Sequence, residues 1–172
     1  MKSSEQHKAE APKTLSFAII VTSSKLLEGK YPQDLSGDIA ESLIRGKGHT
    51  IVLRVVVPND VKAIRAAVKK AISEHRADIV LVTGGTGISP RDVSIEAVTP
   101  LLEKTLPGFG ELFRFLTFRR EGSIAVVTRA TAGIYKGSAI FVTPGSPSAV
   151  QLALEQLILP EAPHIVKHAR EG

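Results

Sequence analysis

Apolar residues along the chain follow two patterns. Residues 15–22 (LSFAIIVT), 50–57 (TIVLRVVV), 78–83 (DIVLVT) and 139–143 (AIFVT) are short continuous runs rich in β-branched side chains. Such runs predict strands buried on both faces. Residues 124–127 read as a further short strand. Between the runs the period becomes helical. Over residues 61–75, Val61, Ile64, Val68, Ala71 and Ile72 form one stripe, with Lys62, Arg65 and Lys69 on the other side. Residues 37–47 predict a helix with Ile39, Leu43 and Ile44 inward, stopped by Gly48. Residues 94–102 and 109–118 predict two more, and a last helix runs from Pro147 to Leu159. Residues 1–13 and 162–172 follow neither pattern and read as a flexible tail and a loosely docked end. One domain over residues 14–172 is expected.

Strands alternating with helices predict βαβ units, an α/β fold with a mostly parallel sheet covered on both faces. In such sheets ligands sit beyond the carboxyl ends of the strands, where strand order reverses. The loops after Thr22, Val57, Thr83 and Thr143 therefore carry the candidate site.

Composition narrows the function classes. The 172 residues are 43% hydrophobic and 23% charged, which excludes a disordered chain or a fibre. No apolar run reaches the roughly eighteen residues a membrane span needs, and the polar start is not a secretory signal. There is no cysteine, so thiolate metal sites and cysteine nucleophiles are excluded. A cytoplasmic protein without membrane contact is expected. The net charge of +5 suits a phosphorylated ligand, a nucleic acid or no particular partner. Aromatic residues are 5% with no tryptophan, which argues against a stacking platform for nucleic acid. The five histidines have no metal-site spacing, and no G-x-S-x-G marks a serine hydrolase.

Thr83-Gly84-Gly85-Thr86-Gly87 directly follows a predicted strand. Its glycines let backbone amides approach an anion, or simply make a tight turn. The spacing is neither a dinucleotide fingerprint nor a P-loop. Pro144-Gly145-Ser146-Pro147 precedes the last helix, where Ser146 is a good N-cap at a start also suited to phosphate. Asp60 follows the second predicted strand and Asp92 follows the glycine loop, so both are expected on the same rim of the sheet. Each fits a helix cap; as a pair beside a glycine loop they also fit Mg²⁺ handling at a phosphate-transfer site. Asp34, Ser36, Gly37 and Asp38 form a further polar cluster.

Residues 83–93 (TGGTGISPRDV) resemble the signature of the MoaB/Mog family of molybdenum cofactor biosynthesis proteins, related to the G domain of gephyrin. The likeness extends to residues 34–37 (DLSG), 57–60 (VPND), 107–110 (PGFG) and 144–146 (PGS), and covers about residues 15–164. The resemblance implies a three-layer α/β/α fold with Rossmann-like topology. It also implies molybdopterin binding and adenylylation of molybdopterin by Mg-ATP, or a non-catalytic carrier of the same pathway. Carried over by position, Asp60 and Asp92 are the catalytic, Mg²⁺-handling aspartates, and Gly84, Gly85, Thr86 and Gly87 are the phosphate cradle. Thr22, Ser23, Thr83, Ser36, Gly37 and Asp38 line the cleft, Thr128 and Arg129 stand on the pterin side, and Pro144, Gly145 and Ser146 close it. A homotrimer or hexamer is implied, with Phe109, Phe113 and Phe115 as candidate interface. After Asp92 the family runs Val-Thr-Pro-Glu-Ala, whereas this chain has Val93-Ser94-Ile95-Glu96-Ala97.

Overall fold

A computed structural model describes residues 12–171, so most of the expected N-terminal tail, residues 1–11, lies outside the described residues. The elements follow in order: β1 (Ser16–Thr22), α1 (Ser24–Leu27), α2 (Leu35–Gly46), β2 (Thr50–Val57), α3 (Val61–Ser73) and β3 (Ile79–Thr83). After them come α4 (Ser94–Val98), β4 (Lys104–Thr105), α5 (Pro107–Glu121), β5 (Thr131–Tyr135), β6 (Ser138–Thr143), α6 (Pro147–Ala153) and α7 (Leu159–Ala169). The strands form one sheet ordered β2-β1-β3-β6-β5-β4. The first four in that order run parallel; β5 pairs antiparallel with β6 and β4 antiparallel with β5, so β5 alone runs against the other strands.

Alternation within each strand builds the three layers. Phe17, Ile19 and Val21 of β1 and Leu81 of β3 pack with Ala40 and Ile44 of α2, Phe113 of α5 and Val150 of α6. Ala18, Ile20, Val80 and Val82 face the other way, onto Ile64, Val68 and Ala71 of α3 and Ala97 of α4. β2 is an edge strand, so its run is only half buried rather than covered on both faces.

Three further expectations are corrected, and one feature was not expected. Residues 124–127 are not a strand but part of a 3-10 turn, Gly122–Val127. Gly122, at φ +74°, ends α5, and Val126 is left 86% exposed. The hairpin of β5 and β6 went unpredicted. Lys136 and Gly137, at φ +49° and +73°, make a two-residue turn whose left-handed backbone matches the sheet twist. The helix expected over residues 94–102 breaks at Val98 into a 3-10 turn, Thr99–Leu101. The C-terminal end is docked, not loose. A wide π-turn, Leu154–Ile158, leads into α7, which carries Pro160 at its start and Pro163 inside it. Ala162 and Val166 of α7 are buried, and the Arg170 guanidinium donates to Asp78 at 2.6 Å.

Candidate functional site

β1 pairs with β2 on one side and β3 on the other, so the chain reverses its direction of sheet growth at β1. The loops after Thr22 and Thr83 meet at that crevice. Gly84 and Gly85 have φ of +95° and +63°, which glycine tolerates and other residues resist. Space demands glycine as well. A Cβ on Gly84 would strike the Thr22 carbonyl oxygen, and one on Gly85 would lie 2.6 Å from Ser94 Oγ. A Cβ on Gly145 would lie 2.9 Å from Gly84 Cα.

Hydrogen bonds lock these loops together. Thr83 Oγ1 donates to the Pro144 carbonyl at 3.0 Å, and the Gly84 amide donates to the Thr143 carbonyl at 3.0 Å. Ser94 is fully buried; its hydroxyl donates to Gly84 O at 2.6 Å and its amide to Gly85 O at 2.9 Å. The departure at Ser94 thus keeps the hydroxyl that shapes the glycine loop.

Two adjoining cavities open here, sharing Gly84 and Gly145. The larger, about 450 Å³, has an apolar wall that includes Val21, Leu26, Tyr31 and Leu35, and it also takes in Thr22, Ser23, Ser36 and Thr83. The smaller, about 330 Å³, is lined by Gly84, Gly85, Thr86, Gly87, Asp92, Thr128, Arg129 and Pro144. Ser146 stands just beyond, capping α6 by accepting from the Ala149 amide at 3.2 Å. Gly37 and Asp38 line neither cavity. They belong to the support behind the larger one, where Asp34 caps α2 by accepting from the Gly37 amide at 2.9 Å. Arg54 of β2 pairs there with Asp34 at 2.9 Å, Asp38 at 2.7 Å and Glu41 at 3.0 Å. Hydrogen bonds from Gln33 and Arg54 hold the Asp38 carboxyl below the usual carboxylate range.

The structure separates the two aspartates. Asp60 is exposed, caps α3 by accepting from the Ala63 amide at 2.8 Å, and lines neither cavity. Asp92 is not a cap, because the N-cap of α4 is Val93, with no side-chain cap bond. Its carboxylate lies against Gly87, whose Cβ would meet Asp92 Oδ2 at 2.6 Å. Sequence reasoning missed Asn59. Its buried Oδ1 has no hydrogen-bond partner and lies 3.2 Å from where a Cβ of Gly85 would stand. Thr22 Oγ1 and Thr143 Oγ1, at the ends of β1 and β6, are likewise buried and unpaired. Buried polar atoms normally find partners, so these three set the strand ends around the glycine loop apart from the rest of the core. The advance signals for Asn59 were its place directly after a strand-stopping proline and inside the VPND likeness.

Arg129 arrives from the segment before β5. Its Nη1 donates to Gly87 O at 3.0 Å, and its Nη2 pairs with Glu96 of α4. Partial desolvation pushes the Glu96 carboxyl up, but the Arg129 guanidinium outweighs it, so Glu96 sits below the usual carboxylate range. Among the described residues no group of three or more His, Asp or Glu side chains converges on a metal position. Mg²⁺ does not need one, since it is commonly held through one or two carboxylates with substrate phosphates and water. The Asp92 carboxylate, which lines the smaller cavity, suits that role.

On α5, Phe109 and Phe113 are core residues, so of the three candidate interface phenylalanines only Phe115 is exposed. Leu112, Phe115 and Phe118, with Ile124, Val126 and Val127 just after, are all exposed.

Residues 18–164 match the model of a probable molybdopterin binding domain. The molybdenum cofactor biosynthesis protein B of Bacillus subtilis is 41% identical over 168 residues, covering 97% of each chain. The molybdopterin adenylyltransferase of Pyrococcus furiosus is 42% identical over 171 residues, covering 97% of this chain and 98% of its own. A crystal structure of the tungsten cofactor synthesizing protein MoaB from Pyrococcus furiosus matches with a TM-score of 0.87 at 41% identity, covering 94% of this chain and 100% of that one. On its sequence and on its fold, the chain belongs to the MoaB/Mog family of molybdenum cofactor biosynthesis proteins.

Proposed function

We propose that the protein is a molybdopterin adenylyltransferase, joining the adenylyl group of ATP to the phosphate of molybdopterin and releasing pyrophosphate. The observation that carries this reading is the pair of adjoining cavities, one apolar and of ring-system size, the other built from glycine-loop backbone, Arg129 and Asp92. Substrates that each combine a flat ring with phosphate suit such a pair. The relative from Pyrococcus furiosus that carries this activity in its name aligns over nearly the whole chain.

An oxygen of the molybdopterin phosphate attacks the α-phosphorus of ATP. The bond from that phosphorus to its bridging oxygen breaks, and pyrophosphate leaves with the electron pair. The nucleophile is already an anion, so no strong base is required; the barrier lies in bringing two polyanions together in line. Residues 84–87 present backbone to the phosphates, and Arg129 supplies positive charge beside Gly87. Mg²⁺, held through Asp92, would supply further charge neutralisation. The Glu96 carboxylate keeps the Arg129 guanidinium at the cavity edge until an anion competes for it.

The exposed apolar face from Leu112 to Val127 supports a homo-oligomer in which that face is buried against other copies. No helix among the described residues is long and apolar enough to cross a membrane; we place the protein in the cytoplasm, without nucleic-acid partners. Pyrophosphate release from Mg-ATP, with and without molybdopterin, tests the activity. Release that depends on molybdopterin is expected. Binding of molybdopterin with no pyrophosphate would make the protein a carrier and overturn adenylyl transfer.

A further inference from the structure

The segment that walls the larger cavity on its outer side is built unlike the rest of the molecule. α1 ends in a reversal centred on Gly29, at φ +70°, where the Lys30 amide donates to Lys25 O at 2.9 Å and the Gly29 amide to Leu26 O at 3.0 Å. This is a Schellman-type helix end, and it turns the chain back on itself. Tyr31 thereby returns to Lys25, whose ammonium donates to Tyr31 Oη at 3.4 Å and lies 5.6 Å from the ring centroid. Every residue from Glu28 to Gln33 is exposed, so the segment contributes nothing to the core.

Tyr31 is nevertheless an expensive residue to leave outside. It is 50% exposed, and Leu35 across the same cavity is 54% exposed. Two large apolar side chains face one hollow that folding does not fill. Tyr31 is the only aromatic among the residues lining either of the two cavities. Gly84 and Gly145 join its cavity to the smaller, phosphate-sized one. A ligand with phosphate against the glycine loop would place an attached flat ring beside the tyrosine.

We propose that Tyr31 stacks on the planar nitrogen heterocycle of a phosphate-bearing substrate, and that Lys25, as a positioning residue, holds its ring in place through the hydroxyl. This rests on the reading of the two cavities as a ring site and its phosphate site. Tyrosine suits the task because any flat heterocycle offers a π-face, while the hydroxyl keeps a polar anchor outside the stack. Purine nucleotides and pterin phosphates share that chemistry, and the test separates them.

The chain has two tyrosines, Tyr31 and Tyr135, and no tryptophan. Tyr135 lies in β5, so a Tyr135→Phe protein reports Tyr31 fluorescence alone. It is titrated, with correction for ligand absorption, with AMP, a pterin phosphate monoester and ribose 5-phosphate, and equilibrium dialysis measures binding in parallel. Quenching by a ring-bearing ligand but not by ribose 5-phosphate is expected. Quenching by AMP alone assigns a nucleotide ring, by the pterin alone a pterin, and by both a shared platform. Tyr31→Ala should weaken binding about tenfold with an unchanged melting temperature, and Tyr31→Phe, which keeps the ring but loses the hydroxyl that Lys25 holds, should restore only part of it; full restoration would remove Lys25 from the proposal. Binding without quenching, wild-type affinity in Tyr31→Ala, or no binding of either ring compound overturns the proposal. Quenching in a protein that never releases pyrophosphate leaves Tyr31 in place and overturns adenylyl transfer instead.

Discussion

Ser36 donates its hydroxyl proton to the carbonyl oxygen of Gly145 across 2.6 Å, although 109 residues separate them in the chain. The bond ties the start of α2 to the loop before α6, and Gly145 in turn abuts Gly84. The wall between the two cavities is therefore held from both sides. Ser36→Ala should cost about 1 kcal/mol and raise KM more than it lowers kcat. Gly145→Ala pushes a methyl onto the Gly84 backbone and should cost about 1–3 kcal/mol, with a larger loss of turnover. Thermal melts beside steady-state kinetics check both; an unaffected KM in Gly145→Ala would remove the coupling.

Asp60 and Asp92 should respond differently to the same substitution. Asp60→Ala removes the cap of α3 and is expected to lose about 1 kcal/mol of stability with most activity kept. Asp92→Ala removes no cap and should leave the melt unchanged while turnover falls on the order of 10²-fold or more. Asn59→Ala should fall on the activity side of this division. Equal losses of turnover in Asp60→Ala and Asp92→Ala would return Asp60 to the site.

Arg129→Ala is expected to raise KM for both phosphate-bearing substrates at least tenfold. Arg129→Lys should recover only part, because one ammonium cannot bond Gly87 O and Glu96 as the planar guanidinium does. Glu96→Gln keeps the shape of the contact and loosens the hold on Arg129. A KM that rises in Glu96→Gln as much as in Arg129→Ala would show that Glu96 holds the arginine in place rather than competing with substrate.

Stability should fall on mild acidification through His49. Its Nδ1 accepts the Leu15 amide proton at 3.2 Å, and its ring lies 5.3 Å from that of Phe17. Burial holds its pKa below the ordinary imidazole value, about 6.5. Above that value the imidazole is neutral in both folded and unfolded chains, and stability is at its full level. As pH drops, the unfolded chain takes up the proton first, so stability declines until the folded histidine also titrates. Denaturant midpoints between pH 8 and pH 5 measure the slope, and His49→Gln should flatten it. An identical slope in the variant would assign the acid sensitivity elsewhere.

The exposed face on α5 and the turn after it predicts self-association. Phe115→Glu combined with Val126→Glu should lower the sedimenting mass toward the monomer without changing the circular dichroism. A wild-type protein that sediments as a monomer at working concentration would remove the proposal.

Much of this protein was legible in its residues one after another. Continuous β-branched runs placed β1, β3 and β6, because a strand covered on both faces cannot carry polar positions without stranding them from water, and the same kind of run placed β2 although it is a half-buried edge strand. The TGGTG segment announced a close-packed loop, since only glycine meets its backbone angles and leaves room for the Thr22 carbonyl. Antiparallel β4 and β5 were not legible. Their short, weakly apolar segments are strands only because β6 stands beside β5, a contact made by the neighbour and not by the local pattern. The C-terminal helix was equally hidden: two prolines break its local signal, while packing of Ala162 and Val166 on the sheet holds it.

The site divides in the same way. Sequence alone determined which loops gather at the strand ends, because chain connectivity and sheet handedness leave little choice. Which side chains face the ligand was decided only by the tertiary structure. Asp60 and Asp92 are the same residue type in similar loops, yet one meets a helix amide and the other a glycine backbone. Asn59 lay within the VPND likeness without being singled out and Tyr31 carried no motif, and both acquired meaning only when folding left one unpaired and the other beside an unfilled hollow. A side chain's chemistry is local, but its partner is chosen by residues far away in the chain.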